Sequence, residues 1–476
     1  MQRGILSFGA YVPTMRVDRA AIAAAHSWAF PSMRGKGARA LANWDEDSIT
    51  MSVEAARGVD TGKVDAVLFA STTAPFADLQ NATIVAAALG LPDTVSTMDA
   101  AGSVRSGTSA LLSALRPGVE GDQLVVAADA RLAKPGSAQE MQYGAGAVAF
   151  VVGDGAPIAR LIGSATRADM FVDHFRASGE KFDYYWEERW VRDEGYAKLV
   201  PAAIKAALDA AGVSAVDIAH FCLPSLTAGA GAAVARKAGI AAEAVADTLQ
   251  AQCGDTGAAH GPMMLAAALE KAKPGDKLLL VAFGAGCDVL LFEATEAIAE
   301  HAPRQGVAAA IGGGRIELHY MKLLSFHGHL DLDWGMRAEA NDKIPLTQQY
   351  RARDQLAAFI AGECPDCGAV QFPQLASCVN CASVAPLAQR SLVNEPAKVA
   401  TYTADWLQYH PSPPLYFGLV QFDNGARLLM EIVDVDPAAL DVGTELRMVY
   451  RIKSTDRDRH YTRYFWKATP IGAQGG

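Results

Sequence analysis

The chain has 476 residues, enough for two or three domains, of which 51% are hydrophobic and 20% charged, the balance of a globular protein with ample core. Its 42 Lys and Arg against 52 Asp and Glu leave a formal charge of −10, which argues against a nucleic-acid partner while leaving room for a local basic patch around an anionic cofactor. No apolar run reaches the ~18 residues of a membrane span, and the start, MQRGILSFGAYVP, lacks the basic-then-apolar order of a signal peptide; the expectation is a cytoplasmic protein with no membrane contact.

In chain order, the first ~330 residues alternate apolar runs with Ala-rich amphipathic stretches, the pattern of an α/β fold. Strands are expected near Val64, Gln123, Ala147 and Lys277, and helices over Asn81–Leu89, Gly107–Leu115, Tyr196–Ala211 and Gly229–Ala238, with Pro201 in a first turn. The region repeats itself. Asp65-Ala-Val-Leu-Phe matches Asp217-Ile-Ala-His-Phe, Asp93-Thr-Val matches Asp247-Thr-Leu, and Gly121-Asp-Gln-Leu-Val matches Gly275-Asp-Lys-Leu-Leu, at a constant offset of about 152–154 residues. Three matches in order at one offset imply two copies of a domain-sized unit and a site drawn from equivalent turns of both.

Beyond Gly313 the pattern changes. Tyr320–Lys343 reads as irregular, and Gln348–Ala361 as a helix leading into a cysteine cluster. Cys364-Pro-Asp-Cys367 and Cys378-Val-Asn-Cys381 form two CxxC knuckles ten residues apart, a spacing that brings four thiolates to one tetrahedral zinc. Four sulfurs leave no position for substrate, so the Zn2+ is expected to be structural. From Val399 short strands alternate with turn signals, including Asp423-Asn424-Gly425, as in a hairpin-built small barrel.

Several stretches then carry a resemblance: Asp45-Glu-Asp-Ser-Ile-Thr-Met-Ser-Val-Glu-Ala-Ala-Arg57, Gly107-Thr-Ser-Ala-Leu111, Asp173-His-Phe-Arg176 and Lys273-Pro-Gly-Asp-Lys-Leu-Leu-Leu-Val-Ala-Phe-Gly284. The first ~315 residues resemble the hydroxymethylglutaryl-CoA synthase branch of the thiolase superfamily, and the last ~130 resemble the zinc-ribbon plus OB-fold proteins that accompany thiolase-like enzymes. The resemblance implies a thiolase-like, pseudo-twofold duplicated α-β-α core with halves at 1–160 and 161–318. A linker at 319–347, a helix plus zinc ribbon at 348–395 and an OB-fold barrel at 396–476 would follow. It also implies a coenzyme A thioester (acyl-CoA) as substrate and a homodimer, with a separate thiolase subunit as a further partner to consider.

The chemistry departs from that family, whose members use a cysteine, a histidine and a glutamate. Here the cysteine position falls on Val104, the histidine on Cys222 and the glutamate on Thr72, while the Asn of related ketoacyl synthases is Asp255. An isopropyl group forms no thioester. The remaining candidates are Asp255 with His260 as a base or acid, Cys222 or Ser103 as a displaced nucleophile, and Thr72, Arg105 and the helix start at Gly107 as substrate contacts. Each has a plainer reading. Cys222, Cys253, Cys287 and His220 fit a core, Asp255 fits a helix cap, and Arg105 fits an exposed helix start. The aromatic run Phe182, Tyr184, Tyr185, Trp186, Trp190 and Tyr196 suits either an acyl or aryl pocket or a dimer flank. Tyr402, Trp406, Tyr416 and Phe422 suit barrel core and an acyl-CoA or partner face. The sequence therefore leads to non-covalent aldol or retro-aldol chemistry on acyl-CoA. A non-catalytic docking subunit and a Claisen-type acyltransferase stand as alternatives.

Overall fold

The computed structural model describes residues 3–339 and 341–472. It divides into two units: Met1–Ala42, Asp47–Thr83 and Thr94–Leu323 form the first, and Asn43–Glu46, Ile84–Asp93 and Leu324–Gly476 the second. In the first unit nine strands share a sheet: β1 (Gly4–Tyr11), β2 (Val64–Ala70), β3 (Ser96–Ala100), β4 (Asp122–Ala130), β5 (Ala145–Gly153), β6 (Ala159–Ala168), β7 (Ile218–Cys222), β8 (Lys277–Phe283) and β9 (Gly286–Ala294). Their order is β7-β8-β9-β6-β1-β5-β4-β2-β3. Strands β3, β2 and β4 are parallel neighbours, as are β7 and β8, and the remaining pairs are antiparallel. The run β1-β5-β4-β2 on one side of the sheet centre answers β6-β9-β8-β7 on the other. This is the duplication read from the repeats: Asp65 and Asp217 introduce β2 and β7, and Gly121 and Gly275 introduce β4 and β8.

Six helices matter for the site: α1 (Ser48–Ala56), α2 (Ser106–Ala114), α3 (Ala138–Gln142), α4 (Val200–Ala211), α5 (Ala230–Ala238) and α6 (His260–Leu269). Helices α2 and α6, equivalent in the two halves, meet in the core through Ala110, Leu111 and Ala114 on one and Met263, Met264 and Ala266 on the other. Gly107 makes the approach possible, because a Cβ there would lie 2.2 Å from the Ala258 carbonyl oxygen. Immediately before α4, Val191–Leu199 is π-helical, a widened turn often found beside functional sites. Sequence periodicity gave no sign of it. Its Gly195 has no side chain to hold off the Phe283 ring, which a Cβ would meet at 2.6 Å.

The second unit holds a three-stranded ribbon, Ile360–Glu363, Val370–Gln371 and Ala388–Ser391, around the cysteines, followed by a five-stranded sheet. Its strands are β10 (Ala397–Asp405), β11 (Leu415–Phe422), β12 (Arg427–Glu431), β13 (Glu445–Asp456) and β14 (Tyr461–Pro470), in the order β12-β11-β10-β13-β14. A bridge from Ile432 to Ala468 links the two ends and closes the barrel. The Asp423–Gly425 turn forms as expected, with Gly425 at φ +92° and Asn424 Oδ1 accepting from the Ala426 N–H. Two expectations change. A seven-residue helix, Tyr320–Phe326, lies inside the stretch read as irregular, with Tyr320 and Leu323 buried three residues apart. The stretch 348–361 is not one helix but two short ones, Leu346–Arg351 and Arg353–Ala357, which yield to a strand at Ile360 where the chain enters the ribbon.

One barrel carboxylate makes stability depend on pH. Burial alone would raise Glu431, but His410 at 3.2 Å and Lys467 at 3.0 Å outweigh it and hold its pKa at about 2, against an ordinary 4.5. A depressed carboxylate stabilises the fold fully above its unfolded pKa and loses that contribution as pH falls through the folded one. The stability difference between wild type and Glu431→Gln should therefore be of order 1–3 kcal/mol at neutral pH. It should shrink between pH 4.5 and about 2, as read from thermal melts across that range.

Candidate active site

The carboxyl ends of β4, β7 and β8, with the turn before α2, surround a cavity of about 180 Å³ in the first unit, where ligand sites of α/β sheets usually lie. Its volume suits a short acyl group better than a whole cofactor. Val104 stands on its wall one turn before Thr108. The Thr108 hydroxyl is buried and has no hydrogen-bond partner among the described residues. Pro224, Phe283 and Tyr196 supply apolar surface, and burial raises the Tyr196 hydroxyl above its ordinary pKa.

Arg131 and Tyr185, also on the wall, belong to a closely bonded polar cluster with Tyr143 and Asp183, which do not themselves line the cavity. Arg131 donates to Asp183 (2.7 Å), to the Tyr143 hydroxyl (2.8 Å) and to the Tyr185 hydroxyl (3.0 Å), while Tyr143 donates to Asp183 (2.7 Å). Burial works against the Asp183 carboxylate, but Arg131, the Tyr143 hydroxyl and Arg176 more than offset it and its pKa falls below the usual range. Asp255 reaches the same wall, 3.6 Å from Arg131, with Oδ1 accepting from the Gly257 N–H at 3.0 Å. Beside it lie Asp173 and His174, joined at 2.6 Å.

The other candidates sit elsewhere. His260 is fully buried and absent from the cavity wall. Its Nδ1 accepts from the Thr256 N–H (3.1 Å) and its Nε2 pairs with the Thr248 carbonyl (2.8 Å), so both ring nitrogens are committed. Cys222 lies in the core with its thiol against the Met264 carbonyl, and burial pushes it up to about 12. Cys253 and Cys287 are buried and raised to about 12 in the same way. Ser103 Oγ donates to the Gly284 carbonyl at 3.2 Å. Arg105 binds that carbonyl at 2.9 Å and Asp288 at 2.8 Å, so its charge is already paired. Thr72 is tied to Asp129 through its N–H (2.7 Å) and hydroxyl (2.8 Å). His220 pairs with Asp276 at 3.5 Å, away from the cavity wall. Of the aromatic run, Tyr185, Trp186 and Tyr196 line the cavity, and Tyr184 and Trp190 are exposed.

Sequence reasoning does not reach Arg131, Thr108 or the Asp173–His174 pair, which line the cavity, nor Tyr143 and Asp183, which hold Arg131. Tyr185 stood in the aromatic run, and Asp173-His174 stood inside a stretch quoted for resemblance alone. Because Cys222 is core, Cys222→Ala should cost about 1–2 kcal/mol of stability and leave turnover unchanged, measured by melting and by steady-state rate.

In the second unit the four cysteine sulfurs lie within 4.8 Å of one another, with Cys364–Cys381 at 3.7 Å and Cys367–Cys378 at 3.6 Å. A tetrahedron of Zn–S bonds near 2.3 Å has edges of about 3.8 Å, so the donor set fits zinc. The Asn380 side-chain amide lowers Cys367 to about 6, while the neighbouring thiols push Cys381 up to about 12; a bound metal would hold all four as thiolates.

The comparisons agree with the fold. The family model for the C-terminal part of 3-oxoacyl-[acyl-carrier-protein] synthase III matches residues 208–290, and the model for the C-terminal OB-fold domain of ChsH2 matches residues 392–451. A hydroxymethylglutaryl-CoA synthase of Aeropyrum pernix is 31% identical over 343 residues, covering 69% of this chain and 94% of the relative. Among solved structures, a hydroxymethylglutaryl-CoA synthase complexed with CoA superposes with a TM-score of 0.59 at 17% identity, over 72% of this chain and 95% of that one. The 3-oxoacyl-(acyl carrier protein) synthase III of Pseudomonas aeruginosa gives 0.54 at 22%, over 62% and 99%. Fold and comparisons define a thiolase-superfamily enzyme with an OB-fold domain at its C-terminal end. Within that superfamily, the chain belongs to the hydroxymethylglutaryl-CoA synthase family.

Proposed function

We propose that this protein makes or breaks a carbon–carbon bond in an acyl-CoA by aldol or retro-aldol chemistry, without an acyl-enzyme. The observation that carries the reading is Val104 on the cavity wall at the start of α2, where a nucleophile is expected and none of the serine or cysteine candidates reaches. The start of α2 has a positive dipole end, and the Thr108 hydroxyl beside it is an available donor. Together they suit a thioester oxygen that gains charge as an enolate forms. The small cavity would take the acyl part, with the CoA chain outside it. Zinc on Cys364, Cys367, Cys378 and Cys381 would be structural, cross-linking the ribbon. A homodimer is supported by β3, which ends the sheet with Ser96 and Met98 exposed.

The test is to incubate the chain with a panel of 3-hydroxyacyl-CoAs and follow release of a carbonyl compound and a shorter acyl-CoA. Cleavage by the chain alone supports the reading. Tight acyl-CoA binding without cleavage, together with stimulation of an added thiolase, would favour the docking subunit instead.

A further inference from the structure

The cavity needs a group that moves a proton; Glu188 on its wall is exposed, and other titratable groups in or beside the wall are occupied. Asp255 is held by the Gly257 N–H and Arg131, while Tyr143 and Tyr185 are bound into the Arg131–Asp183 cluster. His174 differs. It sits on a two-residue strand, His174–Phe175, paired with Tyr184–Tyr185, so that His174 lies opposite Tyr185 and their rings stack at 5.0 Å with planes 14° apart. Its Nδ1 is 2.6 Å from Asp173 Oδ2, and Asp173 is fixed in turn by its carbonyl, which accepts from the Trp186 N–H at 3.0 Å. The ring is therefore held from one side and along its edge. Its Nε2 makes no hydrogen bond among the described residues, and His174 is a wall residue of the cavity.

We infer that His174 is the proton-transferring residue of this site and Asp173 its positioning residue, a role that rests on the carbon–carbon reading above. With Nδ1–H donated to Asp173, the neutral ring presents Nε2 as a base. In the cleavage direction Nε2 takes the proton from the β-hydroxyl of a 3-hydroxyacyl-CoA. The O–H electron pair becomes the carbonyl π bond, the Cα–Cβ bond breaks, and its pair passes into the thioester enolate. The aldehyde or ketone leaves, and the imidazolium returns its proton to Cα, giving the shorter acyl-CoA. Atoms and charge balance with no oxidant, reductant or added cofactor. Asp173 stabilises the imidazolium formed between the two transfers. Asp173, the residue just before the strand, is bonded to the ring and Asp183 acts on it electrostatically; Glu188, Asp255 and Arg131 are the other charged residues that share the cavity wall with it.

The experiment uses the full chain and two readouts: turnover of the 3-hydroxyacyl-CoA panel, and deuterium uptake at Cα of acetyl-CoA and phenylacetyl-CoA in D2O. His174→Gln is expected to lower kcat and Cα exchange at least about a hundredfold, with KM and acetyl-CoA affinity within about threefold. His174→Asn, which can still donate to Asp173 and keep the short strand pair in place, should do the same. Asp173→Asn should lower kcat more mildly and move the pH–rate profile, a change that lost packing alone would not produce. If both His174 variants cleave and exchange at the wild-type rate with an unmoved profile, the assignment is wrong while the carbon–carbon reading stands. If the wild-type chain binds acyl-CoA but neither cleaves nor exchanges, both fall together.

Discussion

Asp129→Ala should be the most damaging single substitution in the first unit. Asp129 is fully buried at the end of β4 and accepts from five donors: Ser71 Oγ (2.9 Å), the Thr72 N–H (2.7 Å) and hydroxyl (2.8 Å), the Thr73 hydroxyl (2.8 Å) and the Ala258 N–H (2.7 Å). Four come from the turn after β2 and the fifth from the turn before α6, so one carboxylate ties the two halves together behind the cavity. Each orphaned buried donor costs about 1–3 kcal/mol. Partial relaxation leaves an expected loss of roughly 4–6 kcal/mol, a large share of the ~5–15 kcal/mol that holds a domain together. Asp129→Asn keeps the shape but turns an NH2 toward donors, and should cost about 3 kcal/mol. The measurement is the first transition of a thermal or urea melt. An Asn variant within 0.5 kcal/mol of wild type would show that these bonds carry little net weight.

Loss of zinc from the proposed four-cysteine site should have the second largest effect. The ribbon strands are two to four residues long, too short to hold their shape by pairing alone, and zinc binding contributes about 10–16 kcal/mol in comparable four-ligand sites. Protein isolated without chelator should carry close to one zinc per chain, and Cys378→Ala should carry almost none. In that variant backbone hydrogen exchange should rise sharply over residues 360–391, while the cavity unit keeps its protection. Metal analysis and exchange mass spectrometry read both. Full protection of the ribbon in metal-free protein would contradict a zinc-dependent fold.

The features legible in the sequence are those fixed by local pattern or by spacing. The repeats at Asp65 and Asp217 and at Gly121 and Gly275 mark equivalent strands, the CxxC pairs meet at one point, and Asp423-Asn424-Gly425 turns the chain between β11 and β12. Val104 and Asp255 lie on the cavity wall, each in a turn a few residues before a helix start that the sequence marks. His260 could not be judged in the same way. It is five residues from Asp255, but the helix directs its ring to the Thr248 carbonyl, and only the fold shows where that carbonyl lies. Arg105 reads as an exposed helix start or a substrate contact, and only the fold brings Asp288, 183 residues away, to 2.8 Å from it. The polar cluster around Arg131 is hidden for the same reason. Arg131, Tyr143 and Asp183 come from separate segments, and burial of an arginine among tyrosines leaves no mark on local periodicity. The two-residue strands that seat His174 are shorter than any pattern can announce.

Carbon–carbon chemistry without a covalent acyl-enzyme is tested most directly by the intact mass of the protein during turnover. Protein quenched in acid while consuming a 3-hydroxyacyl-CoA, and separately after incubation with acetyl-CoA, should show the unmodified mass while product accumulates. An acyl adduct that forms and decays at the rate of turnover, mapped to Ser103, Ser106 or Cys222, would rule out the non-covalent mechanism and restore an acyltransferase.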